Sequence, residues 1–316
     1  MKKTYWFLIL LIVAGFAIRH YVITNGPNLP ESEYYSPTQG YYSYRELVSD
    51  ESKEVYDELE RSVYGKPDKE DNLLCEIRDV DKTEAYLGYR AFMADHPDVF
   101  WVIRKENLLD QDTMYFCSIY PKEELAEKRK EFRASLEEFL DSVPEGLERE
   151  DLEWYANEYL VDLCDYDYTA LEIIEDKDSD RDESERLTVQ EAGSSYGALV
   201  NGWAVCEGYA HAYQVLLNRV GVSCVPINGQ GSSLVDGARN GEVDHTWNAV
   251  RNGSTWLMTD VTWNDTSGNN SKYFNLPIEE MYRNHNARAI DIENFSYSRV
   301  FNFVGTDNQD NIFLPE

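Results

Sequence analysis

Hydrophobic residues recur at helical spacing in the first part of the chain. Val55, Leu59 and Val63 follow this spacing after Ser49, and Gly65-Lys66-Pro67 ends the helix that they predict. Further helices are predicted over residues 82–94, 122–140 and 150–164, and strands over residues 99–103 and 114–120. We therefore expect a small N-terminal α+β domain over residues 46–145, with no recognisable chemistry, followed by a second domain over residues 146–316.

A hydrophobic stripe in the second domain begins at a cysteine. Its members recur at helical spacing: Tyr209, Tyr213, Leu216, Leu217 and Val220. Gly221 is suited to end this helix, so Cys206 is predicted to lie in the first turn. The unpaired N–H groups there favour the thiolate, and Gly202 and Gly208 allow close backbone approach. Taken alone, a buried structural cysteine explains the segment equally well.

Two alternating segments, residues 244–250 and 255–263, predict a pair of strands joined by Arg251-Asn252-Gly253-Ser254. Asn-Gly between such strands is typical of a two-residue type I′ turn. With Asn252 and Gly253 in the turn, His245 lies directly opposite Asp260, with Cβ atoms roughly 5 Å apart. A carboxylate in this position can orient a histidine base, and we favour this interpretation over a plain cross-strand charge pair.

The face of this hairpin that holds His245 and Asp260 is otherwise apolar. It contains Trp247, Ala249, Trp256 and Met258, and we expect it to pack on the Cys206 helix. Tryptophans 203, 247 and 263 suit either a groove that excludes water or an ordinary core. The other histidines, at positions 20, 96, 211 and 285, show no comparable arrangement.

Composition limits the classes of partner. Hydrophobic residues make up 42% of the 316 residues, which is enough for a sizeable core. The 59 acidic residues outnumber the 29 basic ones, for a net charge of −30. Such a surface repels nucleic acid and anionic membranes, so neither is expected as a partner except through an anchor. The acidic stretch 175–183 lacks the glycine and the final glutamate of a calcium loop, which favours a solvated surface loop.

The first residues are typical of an export signal. Lys2 and Lys3 precede an apolar run over residues 5–18. This run predicts either a cleaved signal peptide or a retained membrane anchor over residues 1–18, followed by a linker over residues 19–45. The rest of the chain is then expected outside the cytoplasm.

The chain contains five cysteines, at positions 75, 117, 164, 206 and 224. An odd number leaves at least one thiol unpaired, so either two disulfides form and Cys206 stays free, or all five are reduced. No Cys-x-x-Cys pair is present and the histidines are scattered, so we expect no metal site and no cofactor.

The order of cysteine, histidine on one strand and aspartate on the next resembles the transglutaminase-like superfamily of papain-type thiol enzymes. The resemblance covers about residues 150–285. Its motifs are Tyr196-Gly197-Ala198-Leu199, Gly202–Ala210, His245-Thr246-Trp247-Asn248, Asp260-Val261-Thr262-Trp263 and Tyr273-Phe274-Asn275. Asn157-Glu158-Tyr159-Leu160 departs from the His-Asp-Tyr-Leu element of the family.

The resemblance implies an α+β fold in which a nucleophile helix packs on an antiparallel sheet. It implies that Cys206 is the nucleophile, His245 the base and Asp260 its orienting acid, with Tyr196 as a candidate oxyanion donor. We therefore expect an exported bacterial enzyme that transfers acyl groups from protein or peptide amides through a thioester. Crosslinking, deamidation and peptide cleavage share this half-reaction and stay open. The alternative is a cell-surface binding or scaffold module with the same fold.

Overall fold

The N-terminal part of the chain consists of helices around a three-stranded antiparallel sheet. The computed structural model describes residues 42–47, 49–65, 72–107, 110–176, 181–235, 238–253, 255–286, 290–292 and 295–297. The helices of this part are α1 (Tyr42–Glu46), α2 (Asp50–Ser62), α3 (Lys82–Asp95) and α4 (Lys122–Ser142). Its strands are β1 (Leu73–Arg78), β2 (Val102–Asn107) and β3 (Asp110–Ser118), in the order β1-β3-β2.

The hydrophobic spacing after Ser49 does form a helix. The Ser49 side chain accepts a hydrogen bond from the Ser52 N–H and so caps α2. Val55, Leu59 and Val63 are fully buried, as their spacing predicts. The helices predicted at 82–94 and 122–140 are confirmed, whereas the first predicted strand begins only at Val102. The residues before it are buried outside the sheet, where the Trp101 indole donates to the Val63 carbonyl at 3.1 Å.

The second part of the chain combines helices with a four-stranded antiparallel sheet. Its first elements are α5 (Arg149–Leu163), β4 (Asp165–Tyr166), α6 (Tyr168–Glu175), α7 (Glu183–Ala192), β5 (Trp203–Ala204) and α8 (Cys206–Arg219). The sheet, in the order β8-β7-β6-β9, comprises β6 (Cys224–Val235), β7 (Ala238–Asn252), β8 (Thr255–Thr259) and β9 (His285–Asn286). The remaining elements are α9 (Val261–Thr266), α10 (Ile278–Met281) and a separate hairpin of β10 (Ile290–Ile292) and β11 (Phe295–Tyr297). The predicted α+β class is confirmed.

The β7–β8 hairpin has a different register from the one predicted. Asn252 pairs with Thr255, so Asn252 belongs to the strand and not to the turn. Gly253 has a φ of +64°, which a glycine adopts without strain. The register is therefore wrong by two residues, and because side chains alternate with a period of two, each residue keeps its face.

The strand predicted over residues 255–263 also ends early. It stops at Thr259, and Asp260 caps the helix α9 by accepting a hydrogen bond from the Trp263 N–H at 3.1 Å. Aspartate is a good N-cap residue, so at the end of a strand it favours the start of a helix over continuation of the strand. Asp260 therefore reaches His245 from beyond the end of the ladder.

The apolar face of the hairpin packs against a different partner from the one expected. Trp247, Ala249, Trp256 and Met258 form a cluster that Tyr42, Val225, Ile227, Tyr273 and Met281 complete. The opposite face contacts α8, since Asn248 on that face donates to the Ala210 carbonyl at 2.9 Å. The expectation that the tryptophan face lies on the Cys206 helix was therefore wrong.

Several contacts join the N-terminal part to α8 and the segment before it. Gln214 donates to the Ala94 carbonyl at 2.9 Å, and Arg90 lies 3.3 Å from the Glu207 carboxylate. Residues 36–316 form one compact unit, and the boundary near residue 145 stays a prediction. Tyr42, at the end of the predicted linker, belongs to the apolar cluster of the sheet.

The structure also answers two questions from the sequence, the state of the cysteines and the structure of the acidic stretch 175–183. All five cysteines are unbridged. Of residues 175–183, the described ones end α6 and begin α7, where Asp182 and Glu185 form a capping box.

The segment predicted as a signal or anchor, residues 1–18, lies outside the described residues. No helix in the described part of the chain is both long and apolar enough to span a membrane.

Candidate active site

Cys206 is the first residue of α8 and is partly exposed. Gly202, with a φ of +72°, turns the chain from the preceding π-helical turn into β5, which leads directly to this helix. A Cβ atom at Gly208 would lie 2.3 Å from the Ala192 carbonyl oxygen, so glycine lets α8 approach the end of α7. Gly208 thus allows the close approach that the sequence predicts, and Cys206 occupies the first turn of a helix, where backbone N–H groups have no partner within the helix.

His245 on β7 and Asp260 are in direct contact. The His245 Nε2 atom lies 2.8 Å from Asp260 Oδ2, and both side chains are almost completely buried. Because Nε2 is engaged with the carboxylate, Nδ1 is the ring nitrogen that remains for Cys206, which lies close enough to affect the pKa of His245. The structure thus brings His245 and Asp260 into direct contact and places Cys206 near His245.

The charges of these side chains affect one another. Burial acts to lower the pKa of His245, but the charge and hydrogen bond of Asp260, followed by the influence of Cys206, raise it to about 10. Burial acts to raise the pKa of Asp260, but His245 and the hydrogen bond from His285 hold it well below its usual range. The arrangement therefore favours an imidazolium beside an ionised carboxylate.

Aromatic rings enclose the imidazole. The Trp263 ring stacks on His245 with centroids 4.9 Å apart, and the fully buried Trp247 lies 6.0 Å away. A Cβ atom at Gly231 would lie 2.7 Å from Trp263, so glycine on the neighbouring strand makes room for this stack. Of the three tryptophans considered from sequence, Trp247 is core, Trp263 covers the histidine, and Trp203 is 53% exposed.

Tyr196 does not point at Cys206. Its hydroxyl donates to the Glu131 carboxylate at 2.5 Å, and its ring stacks on Phe100 with centroids 4.7 Å apart. These contacts fix the side chain against the N-terminal part of the chain, so the geometry does not support Tyr196 as an oxyanion donor.

A different tyrosine, Tyr166, lies near Cys206. It is in β4, and its backbone pairs with Ala204, two residues before Cys206. Burial, followed by the negative charge of Cys206 and more weakly that of Asp260, raises the pKa of its hydroxyl. The sequence gives no sign of this proximity, because β4 is only two residues long.

A second histidine, His285, was missed from sequence. Its Nε2 atom lies 3.0 Å from Asp260 Oδ2, the same oxygen that contacts His245. His285 is fully buried on β9, which pairs with β6 on the far side of the sheet from the hairpin. The prediction that His285 has no comparable arrangement was therefore wrong.

The residue that departs from the family motif supports Asp260 indirectly. Asn157 accepts a hydrogen bond from Asn264 at 2.9 Å, and Asn264 accepts one from the Tyr273 N–H at 2.8 Å. The Tyr273 carbonyl in turn accepts from the Asp260 N–H at 2.9 Å. The asparagine thus belongs to a buried network that fixes the backbone of Asp260.

His245, Asp260 and His285 have the spacing of metal ligands, with their ligand atoms within 4.8 Å of one another. No other such group occurs within the described residues. The nitrogens lie 2.8 and 3.0 Å from the shared oxygen, which are hydrogen-bond distances. Hydrogen bonding between the residues therefore accounts for the group.

The chain was compared with family models, curated proteins and solved structures. No family model matches the chain. Over 93 residues the chain is 34% identical to Kyphoscoliosis peptidase of Mus musculus, a match covering 27% of this chain and 14% of that protein. The resemblance predicted from the motifs is confirmed by this match to a transglutaminase-like protein.

Two solved structures are also similar. A TGase matches with a TM-score of 0.32 and 15% identity over 51% of this chain and 43% of its own. A proposed cysteine protease from Cytophaga hutchinsonii matches with a TM-score of 0.27 and 10% identity over 51% and 61%. The chain thus spans less than two thirds of each of these relatives.

Proposed function

We propose that this chain is a cysteine-dependent enzyme that transfers acyl groups from protein or peptide amides through a thioester. The observation on which this proposal rests is the His245–Asp260 hydrogen bond beside Cys206 at the start of α8. The similarity to a TGase and to proteins named as peptidases agrees with thiol chemistry. Crosslinking, deamidation and cleavage remain alternative outcomes of the second half-reaction.

In the proposed mechanism the Cys206 thiolate attacks the carbonyl carbon of the amide. The His245 imidazolium then gives its Nδ1 proton to the departing amine, the C–N bond breaks, and a thioester forms. Water or a second amine next gives a proton to His245 and attacks the thioester, and the thiolate leaves. Asp260 keeps the ring in the orientation that both steps need.

The negative oxygen of the tetrahedral intermediate needs donors. The first N–H groups of a helix have no partner within it, so the Cys206 N–H is available for this role. We assign the second donor to the Tyr166 hydroxyl in place of Tyr196, because Tyr166 lies near Cys206 whereas the Tyr196 hydroxyl is bonded to Glu131.

Exposed apolar residues around the site support a peptide substrate. The exposed large hydrophobic residues among those described are Leu140, Leu163, Tyr168, Trp203 and Val243. Leu163, Tyr168 and Trp203 lie in or next to β4 and β5, the strand pair that leads to Cys206, and Val243 is two residues before His245. Exposed apolar side chains near a reactive group are typical of a binding surface.

Selective alkylation tests the proposal. Cys75 is the matched control, because it is also partly exposed but burial raises the pKa of its thiol to about 12. At pH 6, iodoacetamide should label Cys206 at least about 100-fold faster than Cys75, since an imidazolium stabilises the thiolate. Peptide mapping of wild type, Cys206→Ala and Cys75→Ser measures both rates. Equal rates at the two cysteines would contradict the proposal and favour a binding module.

We also propose that the chain acts outside the cytoplasm. Lys2, Lys3 and the apolar run over residues 5–18 support this location. A fusion of residues 1–45 to alkaline phosphatase, which is active only after export from a bacterial cytoplasm, tests it. Activity equal to that of a leaderless fusion would exclude export.

A further inference from the structure

The Asp260 carboxylate is contacted by more hydrogen-bond donors than the proposed three-residue mechanism needs. Its Oδ1 atom accepts from the Trp263 N–H at 3.1 Å, and its Oδ2 atom is approached by two imidazoles. A carboxylate oxygen can accept two hydrogen bonds, so both histidines can donate at the same time. The second histidine, His285, is fully buried and has no part in the chemistry described above.

We propose that His285 is a positioning residue, which fixes the Asp260 carboxylate so that its Oδ2 atom is aimed at His245. This inference rests on the proposed function of Cys206. The Trp263 N–H fixes Oδ1, but without His285 the only side-chain partner of Oδ2 among the described residues would be His245, the ring that this oxygen has to orient. A second donor at Oδ2 fixes that oxygen independently of His245.

His285 is itself held in place by a closed set of hydrogen bonds. Its Nδ1 atom lies 3.0 Å from the Asn284 side-chain oxygen, and the Asn284 amide nitrogen donates to the Tyr273 hydroxyl at 3.1 Å. The Tyr273 carbonyl accepts from the Asp260 N–H at 2.9 Å, which closes the circuit. Aromatic rings enclose it, with Trp263 at 4.4 Å and Trp247 at 4.9 Å between centroids.

The role requires a hydrogen at Nε2 of His285. Burial lowers the pKa of His285 more than its hydrogen bonds with Asp260 and with the Met281 backbone raise it, which favours the neutral ring. A neutral ring that donates from Nε2 must accept at Nδ1. A half rotation of the Asn284 amide exchanges its oxygen and nitrogen and presents an N–H there, while its oxygen accepts from the Tyr273 hydroxyl.

Two substitutions separate a hydrogen-bond donor from a space-filling side chain. His285→Leu removes the donor, whereas the amide nitrogen of His285→Gln can occupy the position of Nε2. We expect His285→Leu to slow Cys206 alkylation and substrate turnover by about 10-fold to 100-fold, the usual loss for a residue that orients a reacting group. KM should change little, and His285→Gln should restore most of the rate. Wild-type rates in His285→Leu, or equal losses in both variants, would overturn the inference.

Nitrogen-15 NMR of the imidazoles in the unsubstituted protein supplies a test that needs neither activity nor a variant that folds. The spectrum should show His285 protonated at Nε2 and not at Nδ1. The opposite tautomer would overturn the inference. If wild-type Cys206 is no more reactive than Cys75 while His285 has the expected tautomer, the proposed function fails and the hydrogen bond to Asp260 stands.

Discussion

Two buried histidine–aspartate groups occur in the described part of the chain, and they differ in how their charges are arranged. In the N-terminal part, the Tyr56 hydroxyl lies between Asp95 Oδ2 at 3.1 Å and His96 Nε2 at 3.0 Å. Burial raises the pKa of Asp95 to about 6 and lowers that of His96 to about 3. At the candidate site, His245 and Asp260 are in direct contact and their pKa values shift the opposite way.

The difference shows that burial alone does not make a reactive pair. Desolvation is the first cause in all four residues and disfavours their charged forms. Only at His245 and Asp260 does a direct hydrogen bond between opposite charges outweigh it. The Asp95 carboxylate instead accepts from the N–H groups of Ser43 and Tyr44, which ties α1 to α3. We interpret the N-terminal group as structural.

The largest expected difference in turnover is between a substitution of His245 and the same substitution of His96. His245→Asn should lower turnover by at least about 10³-fold, because the variant lacks the imidazolium that gives a proton to the leaving amine. His96→Asn should leave turnover per folded molecule unchanged. Steady-state kinetics at a temperature well below both melting points measures the contrast, and equal losses in the two variants would refute it.

The two aspartates should differ almost as much. Asp260→Asn should lower turnover by about 10²-fold to 10⁴-fold, because the amide cannot hold the imidazolium. Asp95→Asn should cost about 1–3 kcal/mol of unfolding free energy, because an amide cannot accept all its hydrogen bonds, with little change in turnover. Denaturant unfolding and kinetics on both variants measure this. A catalytic loss at Asp95 would remove the distinction between the groups.

The pH dependence of stability should also separate the aspartates. The stabilisation of wild type relative to Asp260→Asn should be largest between about pH 4 and 6.5, because both partners are charged there. It should decline as the pH rises towards about 10, where His245 loses its proton. Relative to Asp95→Asn, wild type should gain stability as the pH falls through about 6, since the pKa of Asp95 is raised. Parallel curves for the two variants would contradict this assignment of charges.

A smaller effect is expected from a pair of tyrosines. Tyr166→Phe should lower turnover by about 10-fold or more if its hydroxyl stabilises the oxyanion. Tyr196→Phe loses only the hydrogen bond to Glu131 and should affect stability alone. Kinetics of the two variants measures the difference, and melting curves serve as the control for folding. A larger catalytic loss in Tyr196→Phe would refute the assignment.

Much of the site follows from the sequence. The helical stripe behind Cys206 and the glycines beside it predict the start of α8 correctly. The pairing of His245 with Asp260 was predicted for a partly wrong reason. Asn252 is paired within the strand and not part of the turn, and Asp260 makes its contact from a helix cap beyond the strand. An error of two in the register preserved the face, so the contact survived.

The features that the sequence did not reveal depend on contacts between distant segments. His285 follows Asp260 by 25 residues, and only the return of the chain to β6 as β9 brings its ring to the carboxylate. Tyr196 belongs to a motif, but its ring is drawn into the aromatic core formed with Phe100. The strand β1 was also missed, because most of its residues are half-buried and show little alternation.

Detection of the thioester itself tests the central claim most directly. Wild-type protein incubated with a mixed peptide pool should gain an acyl mass on the peptide that contains Cys206, and neutral hydroxylamine should remove it. Cys206→Ala should gain none, and Cys75→Ser should behave as wild type. Persistent absence of an adduct on Cys206, with the protein folded and the thiol reduced, would contradict acyl transfer.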